Sequence, residues 1–217
     1  MSDIFREVDE EVRREQMKKL WERYGGYVIA LAVLVVLGVG GWQGYQYWQS
    51  KIAAEAGAQF IQAVSLSEQG KHDEAEAAFA KIAKEGTASY RALSGIREAA
   101  EMAQRDPKAA VESLDKLSVD RALGPALQDL AALRAGYILA DNASYDELNR
   151  RIGPLTGPDR AFRHSARALL ALAAWRANDP TAARRWIDMI TADPETPSSI
   201  RSQSDVLLAM IRADGKS

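Results

Sequence analysis

Cysteine is absent from the 217 residues, and histidine occurs only as His72 and His164. The first absence excludes a disulfide framework, a thiolate zinc site, an iron-sulfur cluster and a cysteine nucleophile. The second leaves too few imidazoles for a histidine-rich metal site or a set of acid-base catalysts. An excess of one charge is missing too: 28 Lys plus Arg against 30 Asp plus Glu give a formal net charge of -2, which removes the usual electrostatic argument for nucleic acid. With 15 Gly and 7 Pro the chain is neither collagenous nor of low complexity. No catalytic triad, glycine-rich phosphate loop or paired carboxylate site emerges. The sequence therefore predicts a protein that is not an enzyme, with no cofactor, metal, small-molecule substrate or nucleic-acid partner.

A long hydrophobic run is present. From Tyr24 to Ser50 no residue is charged, and residues 27 to 48 would extend about 33 Å as a helix, the thickness of a bilayer core. Val28 to Val39 form its apolar centre, while Tyr24, Tyr27, Trp42, Tyr45, Tyr47 and Trp48 gather toward the ends, where amphipathic rings sit at a membrane interface. Arg13, Arg14, Lys18, Lys19 and Arg23 crowd the N-terminal flank, and Lys51 stands alone on the other. That asymmetry places the N-terminus in the cytoplasm and exports everything after Ser50. A cleaved signal peptide is the competing reading, since Ala54-Glu55-Ala56 has the small-x-small form. The mixed-charge segment before the run and the length of the run itself fit an anchor better.

Residues 1–23 read as a cytoplasmic helical segment, acidic early and basic late, with a broken apolar stripe of Phe5, Val8 and Val12. Within the span, Gly40 and Gly44 lie one helical turn apart, flanked by Gly38 and Gly41, a pattern that lets a second helix approach closely. They are candidate partner-binding residues.

Internal repetition organises the remainder. Asp106, Pro107, Ala109, Ala110, Leu114, Asp115 and Leu117 map onto Asp179, Pro180, Ala182, Ala183, Ile187, Asp188 and Ile190 at an offset of 73. Tyr145-Asp146-Glu147-Leu148 with Ile152 and Leu155 repeats His72-Asp73-Glu74-Ala75 with Phe79 and Ile82 at the same offset. A period near 34 residues built from two helices, with Ala at a crossing and a bulky apolar residue four positions on, is the tetratricopeptide pattern. Leu148 stands in place of Ala in the third copy, and the first-helix aromatic and glycine positions are poorly kept, so the repeats are degenerate.

The second helices begin near 72, 107, 145 and 180, with Asp106 and Asp179 as N-caps before Pro107 and Pro180. The first helices are expected over about 53–69, 88–104, 121–140 and 159–177. The turn Asp193-Pro194-Glu195-Thr196-Pro197 precedes a last helix, about 199–212, that would cap the array with Ile200, Gln203, Leu207, Met210 and Ile211 on one face. Thirty-eight alanines and no sustained period-two alternation after residue 50 argue against any sheet. The expected fold is all-α: a single N-terminal transmembrane helix, an α-solenoid of about four degenerate tetratricopeptide-like hairpins, and a C-terminal capping helix. The boundaries are 1–23, 24–50 and 51–217.

A charged helix ending Leu20-Trp21-Glu22-Arg23-Tyr24-Gly25, one span, the juxtamembrane run from Trp42 to Gln49, and then degenerate repeats together resemble the YfgM-like ancillary subunits of the bacterial SecYEG translocon. The resemblance covers essentially the whole chain. It implies a non-enzymatic, single-pass inner-membrane scaffold with a periplasmic repeat domain, associated with SecYEG and with a membrane-anchored periplasmic chaperone such as PpiD. The other reading is a periplasmic scaffold coordinating envelope growth or cell division. A coiled-coil trimerisation segment ahead of the repeats would favour it, and a membrane span stands there instead.

Arg150, Arg151, Arg160, Arg163, Arg167, Arg176, Arg184 and Arg185 form a cluster with no lysine between Lys116 and Lys216. Arg160, Arg163 and Arg167 share one face of the expected helix and are candidate partner contacts, because a guanidinium fork grips the carboxylates of a partner or the head-group phosphates of membrane lipid. Against that, Asp146, Glu147, Asp159 and Asp179 are near enough in sequence to pair with them. His164 reads as a surface or packing residue, His72 as a turn residue, and Trp175 and Trp186 as core.

Overall fold

Proline first occurs at position 107, so no proline breaks a helical ladder before it. The computed structural model describes residues 2–213 and 215, with side chains at 14, 17–213 and 215. In it a single helix, α1, runs Ser2–Glu68. The sequence suggested separate cytoplasmic, membrane and first-repeat helices, and the structure joins all three without a break. The chain divides into two compact units, Met1–Ala54 and Glu55–Ser217.

In the first unit, α1 turns its apolar residues outward on every side: from Val28 to Val39 the large apolar side chains are 51% to 71% exposed. The helix is long and apolar enough to cross a membrane, with mean hydropathy 2.0 over its most apolar window. Its aromatic residues make local contacts. The Arg23 guanidinium lies 5.8 Å from the centre of the Tyr24 ring, the Tyr45 and Trp48 rings are 6.4 Å apart, and Gln49 Nε2 donates to Tyr45 Oη at 2.6 Å. The side chains of Phe5, Val8 and Val12 lie outside the described residues.

The second unit starts with the end of α1 and continues through α2 (His72–Glu85), α3 (Ala88–Met102), α4 (Pro107–Ser118), α5 (Pro125–Leu139), α6 (Tyr145–Ile152), a 3-10 turn (Gly153–Thr156), α7 (Arg163–Arg176), α8 (Pro180–Ala192) and α9 (Ser198–Ala213). Among the described residues there is no strand. Consecutive helices pack as hairpins around three apolar clusters: Ala63, Ala75, Phe79 and Ile82 first, then Ile96, Ala99, Leu114 and Ala131, then a larger one around Leu148, Ile152, Leu170 and Ile187.

The repeat register is visible in burial. Ala75, Ala110, Leu148 and Ala183 have no exposed surface, and Phe79, Leu114, Ile152 and Ile187, four residues on, are at most 1% exposed. Asp106 and Asp179 accept from Ala109 N and Ala182 N at 3.0 and 2.8 Å, so the Asp-Pro starts behave as capped N-termini. Gly70 (φ 76°) and Asn178 (φ 58°) take left-handed conformations at equivalent points, closing α1 and α7 before the next helix begins.

The starts of α5 and α7 differ from the sequence expectation, and α6 is short, each at a Gly-Pro pair. α5 starts at Pro125 behind Gly124 because the preceding turn is held by Asp120, which accepts from Ala122 N at 2.9 Å and, through its carbonyl, from Gln128 Nε2 at 2.7 Å. Gly153-Pro154 ends α6 after 8 residues, and Gly157-Pro158 delays α7 to Arg163, leaving Arg160 outside the helix. α9 packs on α7 and α8 with Ser204, Leu207 and Ile211 buried. Gln203 and Met210, expected inward, face solvent.

Candidate functional site

A solenoid must hold neighbouring hairpins together across their gaps, and in this protein arginine does so repeatedly. Arg105 reaches Asp73 at 2.9 Å and Glu76 at 3.1 Å, Arg151 pairs with Asp115, Arg160 with Asp129, and Arg176 with Asp141 at 2.8 Å. The partners stand about one repeat apart in sequence. They are not the Asp146, Glu147, Asp159 or Asp179 that sequence proximity suggested. Burial pushes the Asp129 carboxyl up, opposed by the Arg160 guanidinium beside it.

The densest polar cluster ties α7 to the turn before α9. Arg163 Nε donates to Asp193 Oδ2 at 2.9 Å and its other arm to Glu195. Arg167, 6% exposed, donates to the same Asp193 oxygen at 3.0 Å and to the Thr156 carbonyl at 2.9 Å. The Arg163 hydrogen bond, followed by that from Glu195 N and that from Arg167, holds the Asp193 carboxyl well below the usual carboxylate range. His164 is buried beside them. The Thr196 hydroxyl donates to the Ile190 carbonyl at 2.7 Å, so it must accept from His164 Nδ1 at 3.0 Å, which fixes the neutral tautomer. Burial, then Arg163, lowers the His164 pKa, with Asp193 acting the other way.

At the other end of the array Glu101 is buried and accepts from Ser67 Oγ at 2.6 Å and His72 Nδ1 at 2.7 Å, so His72 joins α2 to α3 and is more than a turn residue. Trp186 is core, as expected, and its Nε1 donates to Tyr145 Oη at 3.0 Å. Trp175 is only half-buried and lines an open apolar groove with Leu172, Val206 and Met210. Among the described residues no three His, Asp or Glu converge as metal ligands.

Of the sequence-selected candidates, Gly40 and Gly44 lie in α1 with nothing within 4 Å of where a Cβ would stand. Arg163 and Arg167 are engaged inside the fold, and Arg160, with a 38% exposed side chain, keeps the largest free surface of the three. A further concavity of about 390 Å³ opens between α2, α3, α4 and the α4–α5 turn, with Lys84, Arg91 and Glu98 on its wall. Sequence reading missed it, because its parts come from three helices and carry no motif.

The arrangement is that of a helical-hairpin repeat array, a class whose members present surfaces to other proteins. The chain belongs to the family described as the tetratricopeptide repeat-like domain, whose model matches residues 18–184. The match begins ahead of Tyr24 and so takes in the apolar part of α1 as well as most of the array. No curated protein and no solved structure gives a significant match.

Proposed function

We propose that the protein is a single-pass inner-membrane scaffold, cytoplasmic at its N-terminus, whose exported repeat array works beside the SecYEG translocon and a membrane-anchored periplasmic chaperone of the PpiD kind. The observation that carries this reading is the uncharged, outward-facing apolar part of α1, with cations crowded on its N-terminal flank and a repeat array following it. Such a helix suits a bilayer, and among the described residues no part of its own unit covers it. Gly40 and Gly44 supply a face for close approach by another membrane helix. Arg160 is the arginine of the three with surface left for a partner carboxylate, while Arg163 and Arg167 serve the array.

Anchoring raises the effective concentration of partners in the same bilayer, so weak contacts suffice. Crosslinking in intact membranes, followed by identification of the partners, tests the proposal. Translocon subunits and a chaperone are expected, and their recovery should fall when Gly40 and Gly44 are both changed to Leu. Recovery of envelope-growth or division proteins without translocon would overturn it in favour of the second scaffold reading.

A further inference from the structure

The last helix of a solenoid has no following hairpin to cover it, so its outer face is ordinarily polar. In α9 that face is apolar along its middle. Val206 is 61% and Met210 43% exposed, and Leu172 of α7, beside them, is 40% exposed. Together with Trp175 they line an open, almost wholly apolar groove of about 390 Å³ between α7 and α9.

The exposed face of α9 has a definite order. Ser202, Ala209 and Ala213 form a ridge of small side chains at helical spacing, low enough for a second helix to come close. Val206 and Met210 lie on the groove side of that ridge, and Asp205 and Arg212, both exposed, lie on the other. Asp205 and Arg212 stand two turns apart, about 10 Å along the axis, so they cannot pair with each other within α9. Among the described residues neither makes an ion pair.

One occupant uses all of these groups. A second α9, antiparallel and related by a two-fold axis perpendicular to both helices, keeps each flank on its own side of the contact. The Arg212 of the second copy then faces Asp205, and its Asp205 faces Arg212. On the groove side, Val206 and Met210 meet the Met210 and Val206 of the second copy. A parallel pair would set Asp205 against Asp205 and Arg212 against Arg212. An acyl chain would fill the groove and leave both charges unanswered.

We propose that α9 is a self-association helix, through which two copies of the chain pair antiparallel at the C-terminal ends of their arrays. A pair of 16-residue helices covers less than the ~800 Å² per partner usual in stable soluble complexes. Two copies held in one bilayer meet at a raised effective concentration, which offsets the small area. For that step alone the pairing rests on the membrane-anchored reading, and it requires no translocon.

The cysteine-free chain supplies the test. With Asp205 opposite the second copy's Arg212, position 209 comes opposite itself, whereas position 202, on the same ridge, is displaced about 20 Å from its mate. Mild oxidation of membranes carrying full-length Ala209→Cys should give a covalent dimer of twice the chain's mass, and Ser202→Cys should give little. Adding Asp205→Arg to Ala209→Cys should slow dimer formation about tenfold, since the change acts at two symmetric pairs. Further adding Arg212→Asp should restore it, which a folding defect would not. Absence of dimer at position 209, equal dimer at positions 202 and 209, or an unchanged rate with Asp205→Arg would overturn the proposal. So would a bifunctional crosslinker that joins position 209 to a different protein and never to a second copy. Sedimentation with membranes is scored separately: a soluble chain that still crosslinks at position 209 would refute the anchor and leave the pairing, and an anchored chain that does not would refute the pairing and leave the anchor.

Discussion

Gly136 sits inside α5, where replacing glycine by alanine ordinarily stabilises a helix by ~1 kcal/mol. Packing opposes that gain. A Cβ at Gly136 would lie 2.4 Å from Ile152 Cδ1, 2.9 Å from Ile152 Cγ1 and 3.3 Å from Leu169 Cδ2. Ile152 is completely buried and Leu169 nearly so, so neither can swing into solvent. Overpacking of this kind costs ~1 to 3 kcal/mol, and Gly136→Ala should therefore destabilise residues 55–217 by about 1 kcal/mol net.

The same geometry supplies a control. Ile152→Val removes the closest atom at a cost of ~0.5 to 1.5 kcal/mol by itself. In the double variant the 2.4 Å overlap is gone, so the two losses should not add, and a coupling of ~1 kcal/mol is expected. Urea unfolding followed by far-UV circular dichroism reads this as a shift in midpoint at constant slope. A stabilised Gly136→Ala, or additive losses within about 0.5 kcal/mol, would refute the α5–α6–α7 packing described above.

The repeat register makes a second prediction: Ala110→Leu and Ala183→Leu, at positions without exposed surface, should each cost ~1 to 3 kcal/mol in thermal melts, whereas exposed Ala177→Leu should be nearly neutral. Asp193 has a folded-state pKa below its unfolded value, so its contribution to stability is present above the ordinary carboxylate pKa and lost as pH falls through that range. Asp193→Asn should weaken the domain at neutral pH and flatten its acid-unfolding profile. His164 is held neutral, with a pKa lowered from 6.5, so the unfolded chain binds the proton first and stability should decline as pH drops below about 6.5. A melt series from neutral to mildly acidic pH should show this slope in the unaltered domain and less of it in His164→Gln.

What was legible in the sequence was whatever repeats or caps locally. The alternation of Ala75, Ala110 and Ala183 with bulky residues four positions on, the Asp-Pro starts and the uncharged run from Tyr24 to Ser50 depend on neighbours within one or two turns. The boundaries at Gly124, Gly153 and Gly157 carried a signal too, since each glycine precedes a proline, but the longer apolar periodicity on either side obscured it. The uninterrupted α1 was signalled by the absence of proline before residue 107. The arginine pairings were not legible. Asp193 is 26 residues from Arg167, and Asp129 is 31 from Arg160, separations bridged only when successive hairpins stack. For the same reason local patterning left His164 as either a surface or a packing residue, and the choice between them depends on Thr196 arriving from the next turn.

Because the chain has no cysteine, single cysteines can report its topology directly. Lys18→Cys and Ser199→Cys, placed on the two sides of the uncharged run, would be treated in whole cells with a maleimide that crosses the outer membrane but not the inner one. The anchored-scaffold account predicts labelling at position 199 in intact cells, labelling at position 18 only after lysis, and full-length protein in the membrane fraction. Labelling of both positions or of neither before lysis, or a soluble product beginning near Gly57, would contradict it.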